Sequence, residues 1–360
     1  MYLKNLFLRN FRNYSDTLIS FSPRINVFSG ENAQGKTNIL EAIYLLSTGR
    51  SFRTTHLSDL IQYGKSFFFI KAELVKDGIL QSLILHFDGK SKKFQYNSNL
   101  YLSFNNLLGI LPSVLYAPSD IQLITGSPAI RRKFLNIHIA QQDPLYVHHL
   151  VRFFKAMKQR NFLLKSKNLH SIDCWESEMA TSGAYLTWQR AHALAELKKS
   201  LKNHSYLLSN EKDKLDIQFS SSMKYHTYLK QLKESYAEEL KNHRPKELKL
   251  GNSLIGPHRD DFSITINDTC AKTYASEGQK RTSVAALRFS EWEYLCKTTE
   301  DNAIMSIDDL GIQLDDIRQM LLQKSLNKFL QVFITTPYNV KKWEQMENVQ
   351  TFTIQNGEVL

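Results

Sequence analysis

Eight consecutive residues, Gly30-Glu31-Asn32-Ala33-Gln34-Gly35-Lys36-Thr37, carry the pattern G-x-x-x-x-G-K-T, and no other segment limits the fold as much. A loop of this kind works between a strand and a helix. Its successive backbone N–H groups must face one anion, and the helix N-terminus must add positive potential there. Both flanks are present. Arg24-Ile25-Asn26-Val27-Phe28-Ser29 reads as the entering strand, and Asn38 to Leu46 has the apolar spacing of a helix that leaves it. The glycines permit the turn. Lys36 is placed to reach the terminal phosphates of a nucleoside triphosphate, and Thr37 to offer its hydroxyl to Mg²⁺.

The chain has 360 residues, enough for two or three structural units. Lys and Arg outnumber Asp and Glu by 46 to 35, a net charge of +11. A balance this basic points to a polyanionic partner, nucleic acid or an anionic membrane surface. Cys174, Cys270 and Cys296 are widely spaced, without a C-x-x-C pair, which fits a reducing compartment and argues against a disulfide framework or a zinc site. Charge interrupts the first nine residues too early for a signal peptide, and no apolar run is long enough to span a bilayer. The expectation is a soluble, cytoplasmic protein.

The first part of the chain reads as strands at Tyr2–Asn10, Tyr14–Ser20 and Ile25–Ser29. A hairpin follows, Phe67–Leu74 with Leu80–Phe87 around Asp77-Gly78, and a further strand at Lys92–Tyr96. From Asp143-Pro144 the period becomes helical, with Asp as cap and Pro in the first helical position. Helical runs are predicted from there, from Ser171 to His204 and from Tyr225 to Leu240. Between Gln141 and Leu250 there are 19 Lys/Arg against 12 Asp/Glu, so this block holds most of the excess charge. It is either a solvated helical surface or a basic arm lying along DNA. Strand-like segments return after Leu250. Three regions are therefore expected: residues 1–140, a basic helical insertion at 141–250, and residues 251–360 completing the α/β unit begun by the first.

A P-loop needs an acid at the end of a buried strand to hold Mg²⁺. Ala303-Ile304-Met305-Ser306-Ile307-Asp308-Asp309 supplies one. Asp308 is the expected metal residue, and Asp309 the one that orients or deprotonates the attacking water. About thirty residues earlier, Ser276-Glu277-Gly278-Gln279 precedes a helical run. Alone it is a common helix-entry turn; beside a P-loop it is a candidate second phosphate-binding helix start through Ser276, Gly278 and Gln279. Arg131-Arg132-Lys133 follows an apparent exposed turn and reads equally as phosphate contact or solvated charge. Arg259, beside Asp260 and Asp261, reads as an ion-paired turn.

Taken in order, the P-loop, the helical insertion, the Ser-x-Gly-Gln signature, the acidic pair and Leu314-Asp315 resemble the ABC-type heads of the SMC and Rad50 group. Further segments are similar to the RecF family across essentially the whole chain. They include Leu8 to Tyr14, Gly49 to Thr54, Ala117 to Asp120, Arg131 to Leu135 and Gly256 to Asp261. The resemblance implies an α/β ABC-type ATPase head with mixed sheets, interrupted by a helical arm domain. It implies ATP and Mg²⁺ as ligands and a homodimer that closes on ATP. Ser276 of one subunit would complete the other's site, Asp315 would lie at the subunit boundary, and Gln122 would be an Mg²⁺-sensing residue. It further implies a weak, DNA-stimulated ATPase, binding to duplex DNA beside single-strand gaps, and RecR and RecO as partners in loading RecA. Departures from the family pattern are Ser119 in place of an acid before Asp120, Ile312-Gln313 before Leu314-Asp315, and Ser306 in the acid-bearing strand. The switch segment Thr335-Thr336-Pro337 has no histidine, as in RecF-like chains. A small-molecule kinase would lack the Ser276 signature, and a transporter ATPase the basic insertion.

Overall fold

The computed structural model describes residues 1–309, 316–337, 343 and 348–360. Leu314-Asp315 and the Ile312-Gln313 departure lie outside the described residues. The chain forms two compact units, one of residues 1–121, 203–213 and 276–360, the other of residues 122–202 and 214–275.

The first unit contains two six-stranded sheets. One is antiparallel in its pairings and runs in the order β2-β1-β4-β5-β6-β7. Its strands are β1 (Tyr2–Phe11), β2 (Tyr14–Ser20), β4 (Phe68–Lys76), β5 (Ile79–Phe87), β6 (Lys92–Tyr96) and β7 (Asn99–Tyr101). The other has the order β15-β14-β3-β13-β12-β8, with β3 (Ile25–Ser29), β8 (Ser113–Tyr116), β12 (Ile304–Ile307), β13 (Val332–Thr336), β14 (Val349–Gln355) and β15 (Glu358–Val359). All its pairings are parallel except that of β14 with β15. Strands β3, β12 and β13 are buried along their whole length, as expected of parallel strands covered on both faces.

Helix α1 (Lys36–Thr48) follows β3 directly. It is apolar nearly all round, with Ile39, Leu40, Ile43, Leu45 and Leu46 buried, so it belongs inside the unit rather than on its surface. Its side chains join one core with Leu6, Leu8, Phe68 and Ile70 of the antiparallel sheet and Phe28, Leu115, Ile304 and Phe333 of the parallel one. Phe28 stacks on Phe352 at 5.2 Å between ring centroids, and Phe21 meets Phe333 edge to face at 4.9 Å. Helix α1 itself packs against β4 and β5 of the antiparallel sheet and β8 and β13 of the parallel one.

The second unit holds α2 (Gln122–Thr125), α3 (Pro128–Ala140), α4 (Pro144–Ser166), most of α5 (Ile172–Ser209), α6 (Leu229–Leu250) and α7 (Ala271–Tyr274). It has its own antiparallel sheet of β9 (Leu215–Ser220), β10 (Asp261–Ile266) and β11 (Thr269–Cys270). Asp143 caps α4 by accepting from the Leu145 N–H at 2.9 Å. Gly183 lets α5 approach its neighbours, since a Cβ there would stand 2.6 Å from Tyr236 and 3.2 Å from Phe153.

The boundaries differ from those expected at 140/141 and 250/251. Residues 122–140 and 251–275 belong with the helical unit, and 203–213 with the first. Tertiary pairing decides this: Arg131 on α3 makes a two-pronged ion pair with Asp261 on β10, at 2.7 and 2.8 Å. A change of hydrophobic period registers where helices start, not which sheet they join. The third helix also begins later than expected, at Leu229, and runs on to Leu250.

Inside the helical unit Arg160, fully buried, faces two buried carboxylates, Glu176 at 3.0 Å and Glu247 at 2.6 Å. Removing the cation would leave Glu247 without its ion pair in a dry interior and Glu176 with Arg244 alone. Arg160→Ala is expected to destabilise this unit by about 3–5 kcal/mol, read as a lowered denaturation midpoint of the unit's helical signal.

Candidate functional site: a phosphate cradle at the strand ends

The register of the parallel sheet builds the site. Ile25 to Ser29 of β3 lie opposite Val332 to Thr336 of β13, and Ile307 of β12 lies opposite Ile334. The residues just past the carboxyl ends of these strands therefore share one edge, where open α/β sheets offer a crevice to ligands. The P-loop leaves from β3, Asp308 and Asp309 from β12, and Thr335 sits on β13.

Gly30 and Gly35 take φ of +145° and +118°, a region closed to side chains. A Cβ on Gly30 would also lie 2.4 Å from the Ile354 carbonyl oxygen. Lys36 turns back over the loop and donates to the carbonyls of Gly30 at 2.6 Å and Glu31 at 2.7 Å. Burial lowers the pKa of its ammonium, and the charges of Asp309 and Asp308 work against that shift.

Thr37 Oγ1 and Thr335 Oγ1 both donate to Asp308 Oδ1, each at 2.8 Å. The Asp308 N–H donates to the Tyr116 carbonyl at 2.8 Å, and the Asp309 N–H donates to Thr335 Oγ1 at 2.7 Å. Asp309 adopts φ +54°, a left-handed conformation that aspartate tolerates at a strand's end. It lines a cleft of about 330 Å³ together with Asn32, Ala33, Gly35, Lys36, Thr37, Asn38 and Arg53. Burial raises the pKa of both carboxyls.

Thr37 and Asp308 present the hard oxygen donors that Mg²⁺ takes. Among the described residues no group of three or more His, Cys, Asp or Glu could hold a metal ion. One carboxylate and one hydroxyl suit an ion whose other ligands come from phosphate and water.

A polar brace holds the loop from behind. Asn13 Nδ2 donates to the Gln34 carbonyl at 2.8 Å, Asn38 Nδ2 donates to Asn13 Oδ1 at 2.7 Å, and the Tyr14 hydroxyl donates to the Gly35 carbonyl at 3.1 Å. From the chain's other end, the Asn356 N–H reaches Gln34 Oε1 at 2.7 Å. Glu41, fully buried on α1, receives both prongs of Arg12 at 2.8 Å and the Ser51 hydroxyl at 2.5 Å. Arg53 donates to Asn38 Oδ1 at 2.7 Å. The sequence pattern marks Thr335 only as part of the switch segment and Arg53 only as one basic residue of a motif, and it marks no role for Arg12 or Asn13. An apolar-looking helix with a buried Glu41 was the available signal for Arg12.

The signature stands apart from this cleft. Helix α8 (Glu277–Thr299) begins at Ser276, whose hydroxyl accepts from the Gln279 N–H at 3.2 Å while Gln279 Oε1 accepts from the Ser276 N–H at 3.0 Å. This is a reciprocal capping box. Ser276 is exposed, and neither it nor Gly278, Gln279 or Gln122 lines the cleft. Asp120, beside the Ser119 departure, pairs with Arg288 of α8 at 2.8 Å.

The basic residues sort by type. The turn ahead of the motif is exposed at Ser127 and Pro128 and starts a helix as expected, but Arg131 is buried against Asp261 and Arg132 donates to the Asp260 carbonyl at 2.9 Å, so neither phosphate contact nor solvated charge describes Arg131. Asp260 pairs with Arg190 at 3.1 Å rather than with Arg259, which is exposed. Between Gln141 and Leu250 all fifteen lysines are exposed, whereas Arg160 and Arg190 are buried.

Residues 2–359 match the family model described as the RecF/RecN/SMC N terminal domain. A DNA replication and repair protein RecF from Protochlamydia amoebophila (strain UWE25) is 44% identical over 337 residues, covering 93% of this chain and 94% of the relative. A solved structure of the recombination mediator protein RecF-ATP in the RecFOR pathway superposes with a TM-score of 0.89 at 32% identity, covering 100% of this chain and 97% of that one. An Smc head bound to the C-winged helix domain of ScpA shares the fold, with a TM-score of 0.58 at 16% identity and cover of 100% and 97%.

Because their pKa values are raised, Asp308 and Asp309 bind protons more tightly in the folded chain than in the unfolded one. The stability this contributes is fully present below the unfolded value near ~3.9 and is lost as pH rises through the folded values. At neutral pH the charged pair is a burden on the nucleotide-free fold. Asp308→Asn is expected to raise the Tm at neutral pH, with the gain vanishing as pH falls below ~4. Thermal melts at the two pH values check this; an equal gain at both would remove buried charge as the cause.

Proposed function

Because this chain belongs to the RecF family, we propose that it is an ATP-dependent DNA-binding repair protein in which two copies close on ATP and slow hydrolysis releases them. The observation that carries this reading is the separation within one chain of the phosphate cradle from an exposed, pre-capped signature turn at Ser276. A cradle of this kind is completed by the signature of a second copy, and the solved RecF-ATP relative supports ATP as the ligand.

In this reading residues Gly30 to Asn38 hold the phosphates through backbone N–H groups. Lys36, now donating to the Gly30 and Glu31 carbonyls, exchanges those partners for phosphate oxygens. Thr37 and Asp308 hold Mg²⁺, which when bound offsets the charge of the phosphates. Asp309 faces the cleft with its proton affinity raised by burial, the state that suits a group taking a proton from the attacking water. Ser276, Gly278 and Gln279 of the partner copy close the site over the γ-phosphate. Gln122 is proposed as the metal-sensing residue.

The polyanion is proposed to be duplex DNA beside single-strand gaps, in the cytoplasm, with RecR- and RecO-type mediators as protein partners in loading recombinase. The exposed lysines of the 141–250 block are flexible point charges suited to sequence-independent phosphate contact. The buried arginines are committed to internal acids.

Gel filtration with and without ATP tests the central reading. The wild-type chain is expected to shift to a dimer with ATP, and Ser276→Arg to remain a monomer that still binds nucleotide; a Ser276→Arg dimer would refute the composite site. Asp309→Asn is expected to lower hydrolysis by ~10²–10⁴-fold while nucleotide binding persists, as followed by phosphate release and by titration with a fluorescent ATP analogue. Duplex affinity should fall ~10³-fold or more between 50 and 200 mM salt if about six phosphates are contacted. A salt-insensitive affinity would count against the lysine surface.

A further inference from the structure

The signature turn is wired to the end of the long helix α5 by a continuous series of hydrogen bonds. Two consecutive left-handed residues, Asn210 and Glu211 (φ 54° and 64°), end that helix and turn the chain back. This returns Asp213 to the helix's last turn, where its N–H donates to Ser209 Oγ at 2.9 Å and its carbonyl accepts from Ser205 Oγ at 2.7 Å. The Asp213 side chain is buried, and its Oδ1 accepts from Gln279 Nε2 at 2.9 Å. Gln279 is the residue that closes the capping box on Ser276. Arg318 of α9 (Asp316–Ser325) stands 3.6 Å from the other Asp213 oxygen. Its Nη1 lies 2.2 Å from where a Gly278 Cβ would be, so the guanidinium packs directly on the turn.

We propose that Asp213 is a positioning residue that sets the signature turn and makes its orientation follow the end of helix α5. The capping box alone would hold Ser276 locally, but it does not fix the turn against the rest of the unit. Gln279 has one amide and uses both ends of it: its oxygen holds the Ser276 backbone, and its nitrogen holds Asp213. A carboxylate acceptor makes the second bond a charge-assisted one. The last turns of helix α5, from residue 203, belong with Asp213 and Ser276 to the first unit. A shift of those turns along or about the helix axis therefore reaches Ser276 through Asp213 and Gln279. The role of the turn at the partner's nucleotide rests on the function proposed above; the wiring does not.

The chemistry allows a swap that isolates this bond. In Gln279→Glu the new carboxylate still accepts from the Ser276 N–H, so the capping box stays, but it cannot donate to Asp213 and repels it. Adding Asp213→Asn restores a donor facing an acceptor with the polarity reversed. Two readouts are followed in the full chain: hydrogen exchange at the amides of residues 276–279 without nucleotide, and the protein concentration needed for ATP-dependent dimerisation.

Gln279→Glu and Asp213→Ala are each expected to speed exchange at the turn and raise the dimerisation midpoint about tenfold. Asp213→Ala should leave the affinity of the monomer for a fluorescent ATP analogue unchanged. The Gln279→Glu, Asp213→Asn pair should recover most of both losses. A pair that behaves as the sum of its single changes, or turn amides that exchange at the wild-type rate in Gln279→Glu, would overturn the proposal. If Ser276→Arg dimerises normally, the two-copy reading fails, and the exchange measurement alone then decides whether Asp213 positions the turn.

Discussion

Two hydroxyls from different parts of the chain converge on a single oxygen of Asp308, one from the P-loop helix and one from the neighbouring strand β13. That meeting point depends on the parallel register of β3, β13 and β12, which brings residues some 270 and 300 positions apart to a common edge. Everything chemical in the first unit is arranged around it. Lys36 and Asp309 face each other across the cleft, the brace of Asn13, Asn38 and Arg53 fixes the loop, and α1 is held between two sheets so that its N-terminus cannot drift. Without the C-terminal strands the P-loop would have no acid, no Thr335 and no Asn356 contact at Gln34.

This arrangement concentrates charge where burial penalises it. Asp308 and Asp309 are held in a partly dry crevice, and both are pushed toward protonation. A site of that kind favours a ligand that brings cations and donors with it, so nucleotide binding relieves a cost already present in the fold. The helical unit solves the opposite problem. Its buried arginines, Arg160 and Arg190, are matched to internal acids, and its lysines lie on the surface.

Local features were legible in the sequence because each has a local cause. The P-loop, the Asp143 cap, the strands from Tyr2 to Ser29 and the acid at the end of β12 are written in spacing and residue type. Pairing across the chain was not. Nothing near Arg131 announces Asp261, so a buried ion pair read as phosphate contact or solvated charge, and the boundary of the helical unit moved with it. Glu41 and Arg12 meet only after folding, and Thr335 becomes part of the site only through the register of β13. The Ser276 turn was legible as a cap, while its tie to Asp213 required the return of the chain after α5.

The central claim is that the cradle of one copy is completed by the signature of another. Mixing two inactive variants, Lys36→Met and Ser276→Arg, tests it most directly. In a mixed dimer the Ser276→Arg copy contributes an intact cradle and the Lys36→Met copy an intact signature, so one complete site forms. ATP hydrolysis is predicted to reappear on mixing, rising with the fraction of mixed dimers, although each variant alone is silent. Continued silence at every mixing ratio, with mixed dimers shown to be present, would contradict the claim.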